Sequence, residues 1–146
     1  MSHKEILSYL NDLFKSLGFN GKGSTWLKSN DEITKVVNLQ KSNFGKQYYI
    51  NYGYIIKSIP LGDLSMHVFT GLSSMDSAEN KEIMDLLDLD NSIPDDSRKS
   101  NIHTYIMKFL IPQFNNINSE SDLGKYINES NRPDIPLIVK EYFSSI

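Results

Sequence analysis

The residues most able to do chemistry are few. The histidines are His3, His67 and His103, and none is spaced with another histidine or a carboxylate in the helical manner of a zinc protease. His67, between Met66 and Val68 in a strand-like run, reads as a half-buried sheet residue. His103 flanks the apolar stripe of a helix. No G-x-S-x-G elbow accompanies them. There is no cysteine, which excludes a disulfide framework, thiolate metal sites and a cysteine nucleophile. Gly21-Lys22-Gly23-Ser24-Thr25 invites comparison with a phosphate-binding loop. That loop needs lysine directly before Ser/Thr, with a strand before it and a helix after it. Here Gly23 intervenes and the elements run the other way, so the stretch reads as a turn. No catalytic residue, metal site or cofactor is expected.

Charge is more informative than any motif. The net charge is −3, but it is unevenly placed. From Lys15 to Lys57 seven lysines face Asp31 and Glu32, a balance of +5. From Asp76 to Asp96 eight acids face Lys81, a balance of −7. Such a chain is dipolar, and its two ends attract different partners. The ordinary reading of the acidic stretch is a solvated helix face. The functional reading is a surface for a basic protein, with Glu79, Glu82, Asp85 and Asp88 as the contact residues. A second candidate surface is the polar side of the strands, with Asn38, Gln40, Lys41 and Lys46. The tyrosine-rich run 48–54 could stack nucleic-acid bases. Its alternation with polar residues reads instead as a core face, and the acidic balance weighs against nucleic acid as a partner.

These residues need a scaffold, and periodicity supplies it. Ile6, Leu7, Leu10, Leu13, Phe14 and Leu17 draw one helical stripe that ends at Gly18. Asn20-Gly21-Lys22-Gly23 reads as a turn. Strand-like runs follow at 24–28, 32–41, 47–57 and 66–70, with Asn30-Asp31 as a hairpin connection. In the second run Ile33, Val37 and Leu39 share a face; in the third Tyr48, Ile50, Tyr52, Tyr54 and Ile56 do. Beyond residue 76 the period becomes helical. Asp76 with Glu79 resembles a capping box, and Pro94-Asp95-Asp96-Ser97 opens a helix that Pro112 kinks or ends. Ser119 to Asp122 caps a short helix, and Asp134 starts a last one. The expectation is one α+β domain over 1–146: an N-terminal helix, an antiparallel sheet of about four strands, and C-terminal helices packed on it. Trp26, Ile50, Tyr52, Phe109 and Phe143 are expected to be buried. With no signal-peptide core and no run near the ~20 apolar residues of a membrane span, the expected compartment is the cytoplasm.

Several short stretches carry a resemblance. Leu17-Gly18-Phe19, Lys22-Gly23-Ser24-Thr25-Trp26, Val37-Asn38-Leu39-Gln40-Lys41-Ser42 and Tyr49-Ile50-Asn51-Tyr52-Gly53 resemble a bacterial family known as domain of unknown function 4304, over roughly the first third of the chain. The resemblance implies a small intracellular bacterial protein. It brings no activity and no functional residue. Small proteins of this kind often accompany polymorphic or contact-dependent toxins, so the expected function is that of an immunity protein binding one cognate toxin domain. The rival expectation is a small-molecule or nucleic-acid-binding module on the polar sheet face. A third is a hydrolase built on His67 or His103.

Overall fold

The computed structural model describes residues 1–130 and 134–144. Helix α1 (His3–Ser16) begins at a reciprocal cap: the Glu5 amide donates to Ser2 Oγ and the Ser2 amide to Glu5 Oε1, both at 3.2 Å. Its stripe buries Ile6, Leu10 and Phe14.

A five-stranded antiparallel meander follows, in sequence order: β1 (Asn20–Lys22), β2 (Thr25–Ser29), β3 (Ile33–Lys41), β4 (Tyr48–Ile56) and β5 (Val68–Gly71). The sheet thus has one strand more than the composition suggested. Asn20 to Lys22 reads locally as a turn, yet it pairs with β2, Gly21 opposite Trp26. Glycine is required there, because a Cβ at Gly21 would lie 2.9 Å from the Trp26 ring and 2.7 Å from Asn11 Oδ1. The actual turn is Gly23-Ser24, with Gly23 at φ +62°, so the phosphate-loop lookalike is a tight hairpin. Asn30 closes the next hairpin, its Oδ1 accepting from the amides of Glu32 (2.9 Å) and Ile33 (3.0 Å).

Strand parity divides the sheet into two faces. Trp26, Val37, Leu39, Tyr48, Ile50, Tyr52, Tyr54 and Ile56 join the helices in one core cluster. On the opposite face Leu27 and Phe69 remain partly exposed. The three buried tyrosines of β4 therefore belong to the core rather than to a base-stacking platform. Phe114 packs edge-on to Tyr52 and Tyr54, with centroids 5.7 and 5.5 Å away, and stacks on Phe19.

The second half is helical: α2 (Ser77–Leu86), α3 (Asp95–Tyr105), a π-helical turn (Ile106–Leu110), α4 (Ile111–Asn116), α5 (Glu120–Ser130) and α6 (Leu137–Ser144). Pro112 does not end the helix opened at Pro94, which runs on through the π-helical turn into α4. It has no amide to donate, and its ring would crowd the carbonyl of Lys108 in a regular helix. The preceding turn widens instead, with the Ile111 amide reaching back to Ile106 O. Ser119 caps α5 by accepting from the Asp122 amide at 3.0 Å.

Trp26, Ile50 and Tyr52 are buried as expected. Phe109 and Phe143 are only half-buried. Phe109 lies flat on Tyr105, with centroids 6.3 Å apart, at the rim of the core. Phe143 rests over Gly124, where a Cβ would come within 2.9 Å of its ring. Among the described residues no helix is long and apolar enough to cross a membrane.

Candidate functional site: the acidic helix and its mountings

Helix α2 follows an N-cap in which Asp76 accepts from the Glu79 amide at 2.9 Å. The reciprocal half of a capping box is replaced: the Glu79 carboxylate turns to Ser74 Oγ (2.7 Å) and to Lys108 Nζ from the π-helical turn. Those bonds, Lys108 first, lower the pKa of Glu79 below the usual carboxylate value. Ile83, Leu86 and Leu87 point into the core. Glu82 lies outside and accepts from the Tyr105 hydroxyl at 2.5 Å, which pushes the pKa of that phenol up to about 12. Asp85 pairs with Lys81 at 2.7 Å, an exposed contact one helical turn apart. Asp88 follows the helix; its carboxylate accepts from the Asp90 amide at 3.0 Å.

The four acids thus stand on one segment, but on different mountings. Glu79 and Glu82 are tied to the helix behind them. Asp85 has a local partner. Asp88 belongs to a turn that joins the sheet, where Tyr48 N donates to Leu87 O (2.8 Å) and Leu89 N to Lys46 O (3.0 Å). Of the eight acids between 76 and 96, Glu79, Asp85 and Asp95 make ion pairs among the described residues. The segment therefore keeps a negative surface.

Beneath that turn sits Arg98, with none of its surface exposed. Its guanidinium donates to carbonyls, not to carboxylates: to Leu86 O, to Asp88 O (3.2 Å) and to Asn91 O (2.7 Å). A cation at the C-terminus of α2 satisfies carbonyls that the helix leaves unpaired and complements its dipole. Burial lowers the pKa of the guanidinium, and Asp95 and Asp88 pull it back. Arg98, Tyr105 and Lys108 escaped the sequence reading. The available signal was Arg98 itself, four residues before Ile102 and so on the apolar stripe of α3.

The other candidate surface divides in two. Asn38 and Gln40 lie on the open face of the sheet, where they bond sideways. Asn38 Nδ2 donates to Thr25 Oγ1 (3.0 Å), and Asn51 Nδ2 donates to Gln40 Oε1 (2.8 Å). Lys41 pairs with Tyr48 in register and so belongs to the helix side. There it meets Lys46, His3, Ser2 and Leu89 around a pocket of about 400 Å³.

The histidines separate equally clearly. His67 is completely buried and sits in the ladder: its amide donates to Tyr54 O (2.8 Å), Ile56 N donates to its Nδ1 (2.8 Å), and its Nε2 lies 2.9 Å from Pro60 O. An acceptor at Nδ1 places the ring proton on Nε2, which donates to Pro60. Both nitrogens are consumed in holding the β4–β5 connection. His103 is exposed in the last turn of α3, and His3 stacks on Tyr48.

A larger cleft of about 630 Å³ opens beside α5, between Glu32, Glu120, Lys125 and Asn128. Two of its acids, Glu120 and Glu32, are committed to the scaffold. Glu120 accepts from Ser58 and Tyr142, and Glu32 accepts from the Glu120 amide at 3.2 Å.

No curated protein and no solved structure matches the chain. A family model does, over residues 10–116, which takes the match well past the first third and through the acidic segment to the end of α4. The chain accordingly belongs to the family described as Domain of unknown function (DUF4304).

Proposed function

We propose that this protein is an immunity protein that binds a cognate bacterial toxin domain and neutralises it by occupation, without catalysis. The observation that carries the reading is the acidic segment: Glu79, Glu82, Asp85 and Asp88 at the surface of an element fixed from behind by Arg98, Tyr105 and Lys108. A rigid row of carboxylates suits a basic partner. A nuclease-type toxin must be basic to hold phosphates, and fixed acids compete for that surface at little ordering cost. The bonding of His67 argues against a hydrolase built on that residue, because a general base needs a free nitrogen within reach of substrate.

The test is co-expression with a toxin encoded beside this chain. Rescue of growth together with co-purification of the two proteins supports the reading. A toxin that kills in the presence of soluble, folded protein removes it. The rival, a small-molecule or nucleic-acid module on the open sheet face at Asn38 and Gln40, would instead show as ligand retention sensitive to Asn38→Ala.

A further inference from the structure

We propose that the open face of the sheet, centred on Leu27, Val36, Gly53 and Phe69, is the interface of a two-fold homodimer in which two copies pack sheet against sheet. The pairing is independent of the neutralisation reading: Ile83, Leu86 and Leu87 anchor the acidic segment in the core on the other side of the sheet, outside this interface.

An antiparallel sheet with one face on a core commonly turns polar side chains to water on the other. This face departs from that pattern. Leu27, Val36, Gly53 and Phe69 are paired in succession across β2, β3, β4 and β5, so they form one apolar row. The buried apolar residues of every described helix belong to the core cluster on the other side, whereas Leu27, Val36 and Phe69 stand outside it. Leu27 is 38% exposed and Phe69 44%. Met66 continues the patch over Gly53, where a Cβ would meet its sulfur at 2.8 Å. Beside the apolar row runs a row of amides, Asn38 opposite Asn51, with Gln40 one step further along β3. The face also lacks charge. No open-face residue of β2 to β5 is charged, although 23% of the chain is.

Neutrality selects the occupant. In a two-fold interface the same patch meets itself, so a charge near the axis would face its own sign. A face without charge avoids that cost. Amides carry donors and acceptors together, so Asn38, Asn51 and Gln40 can pair with their own copies. A basic toxin needs acids and a nucleic acid needs cations, and this face offers neither. An apolar centre with a neutral polar rim is the ordinary anatomy of an interface. The area is sufficient for a weak one. At ~3.3 Å per residue and ~4.8 Å between strands, β2 to β5 present roughly 430 Å² of flat area. Two such faces, before side-chain relief is added, approach the ~1,000 Å² of a specific interface and fall at its weak end.

The test is sedimentation equilibrium of the full chain from roughly micromolar to millimolar concentration, at low and high salt. The mass should rise from 16.7 kDa to twice that value, and high salt should not reverse the rise because no charges meet. Leu27→Lys and Gln40→Lys, each at an exposed position, should separately weaken the dimer by roughly tenfold or more. Met75→Lys, at an exposed methionine outside the sheet, should leave it unchanged. On dilution of the wild-type protein, the side-chain amide signals of Asn38 and Asn51 should shift in NMR spectra as the copies separate. A monomer at every concentration overturns the interface, including a monomer whose open face takes up the toxin or a small ligand instead. So does a dimer that salt dissociates, that Met75→Lys weakens equally, or that both lysine variants leave intact while unfolding at the wild-type midpoint. If a lysine variant fails to fold, the dilution shifts decide, and their absence at Asn38 and Asn51 overturns the assignment.

Discussion

Replacing Arg98 with methionine tests how the acidic segment is held. The side chain is fully buried and donates to Leu86 O, Asp88 O and Asn91 O. Methionine fills similar length and supplies no donor, so the substitution isolates the hydrogen bonds from the volume. A buried carbonyl stripped of its donor costs about 1–3 kcal/mol. That penalty applies fully to Leu86, which is buried. Asp88 and Asn91 are half-exposed, and water recovers part of their loss. Methionine also relieves the cost of burying a cation, which offsets part of the rest. The net expectation is a loss of about 2–4 kcal/mol, against a typical margin of ~5–15 kcal/mol. Urea unfolding followed by fluorescence of Trp26, the single tryptophan, measures it directly. Hydrogen exchange should accelerate first at the amides of Leu89 and Asn91, whose turn loses its anchor. Arg98→Lys keeps the charge but cannot fork across three carbonyls, and should recover only part of the loss. A loss below about 1 kcal/mol for the methionine variant, with exchange at Leu89 unchanged, would refute the claim that Arg98 mounts this segment.

Two further outcomes follow from the packing and the charges. Phe114 touches Phe19, Tyr52 and Tyr54, so Phe114→Ala should cost about 3–5 kcal/mol; half-buried Phe109, replaced in the same way, should cost about 1–2 kcal/mol by denaturant unfolding. The Tyr105 phenol, pushed up to about 12 by the Glu82 carboxylate, should titrate nearer the ordinary tyrosine value in Glu82→Gln when followed by ultraviolet absorbance, because removing the accepting charge makes the phenolate easier to form.

Local signals carried the architecture further than the site. Helix α1 was legible because its apolar spacing and its Ser2–Glu5 cap are both local. Strands β3 and β4 were legible because a period of two separates Ile33, Val37 and Leu39 from Thr34, Asn38 and Gln40 whatever lies above them. Strand β1 was not. Asn-Gly-Lys-Gly composition signals a turn, and only the pairing of Gly21 across from Trp26 converts it to a strand. Phe109 and Phe143 fell on helical stripes, but a stripe gives a direction and not a depth. Both lie at the rim. In the site, surface acidity was visible, whereas the partners of Glu79 and Glu82 come from Lys108 and Tyr105, more than twenty residues away. The grouping of Lys41 with Gln40 failed on parity: neighbouring strand residues face opposite sides, and Lys41 belongs with Tyr48 and His3.

The most direct test of the central claim is the affinity of the cognate toxin domain for the double reversal Glu82→Lys with Asp85→Lys, measured at low and high salt. In the fold, this change removes one hydrogen bond to Tyr105 and one exposed pair with Lys81, the latter worth about 0.3–0.5 kcal/mol, so the variant should remain folded. At a charged interface the same change should weaken binding by roughly a hundredfold, chiefly at low salt. Unchanged affinity and unchanged salt dependence, with binding lost instead on reversing Lys41 and Lys46, would contradict the account and move the interface to the basic end of the sheet.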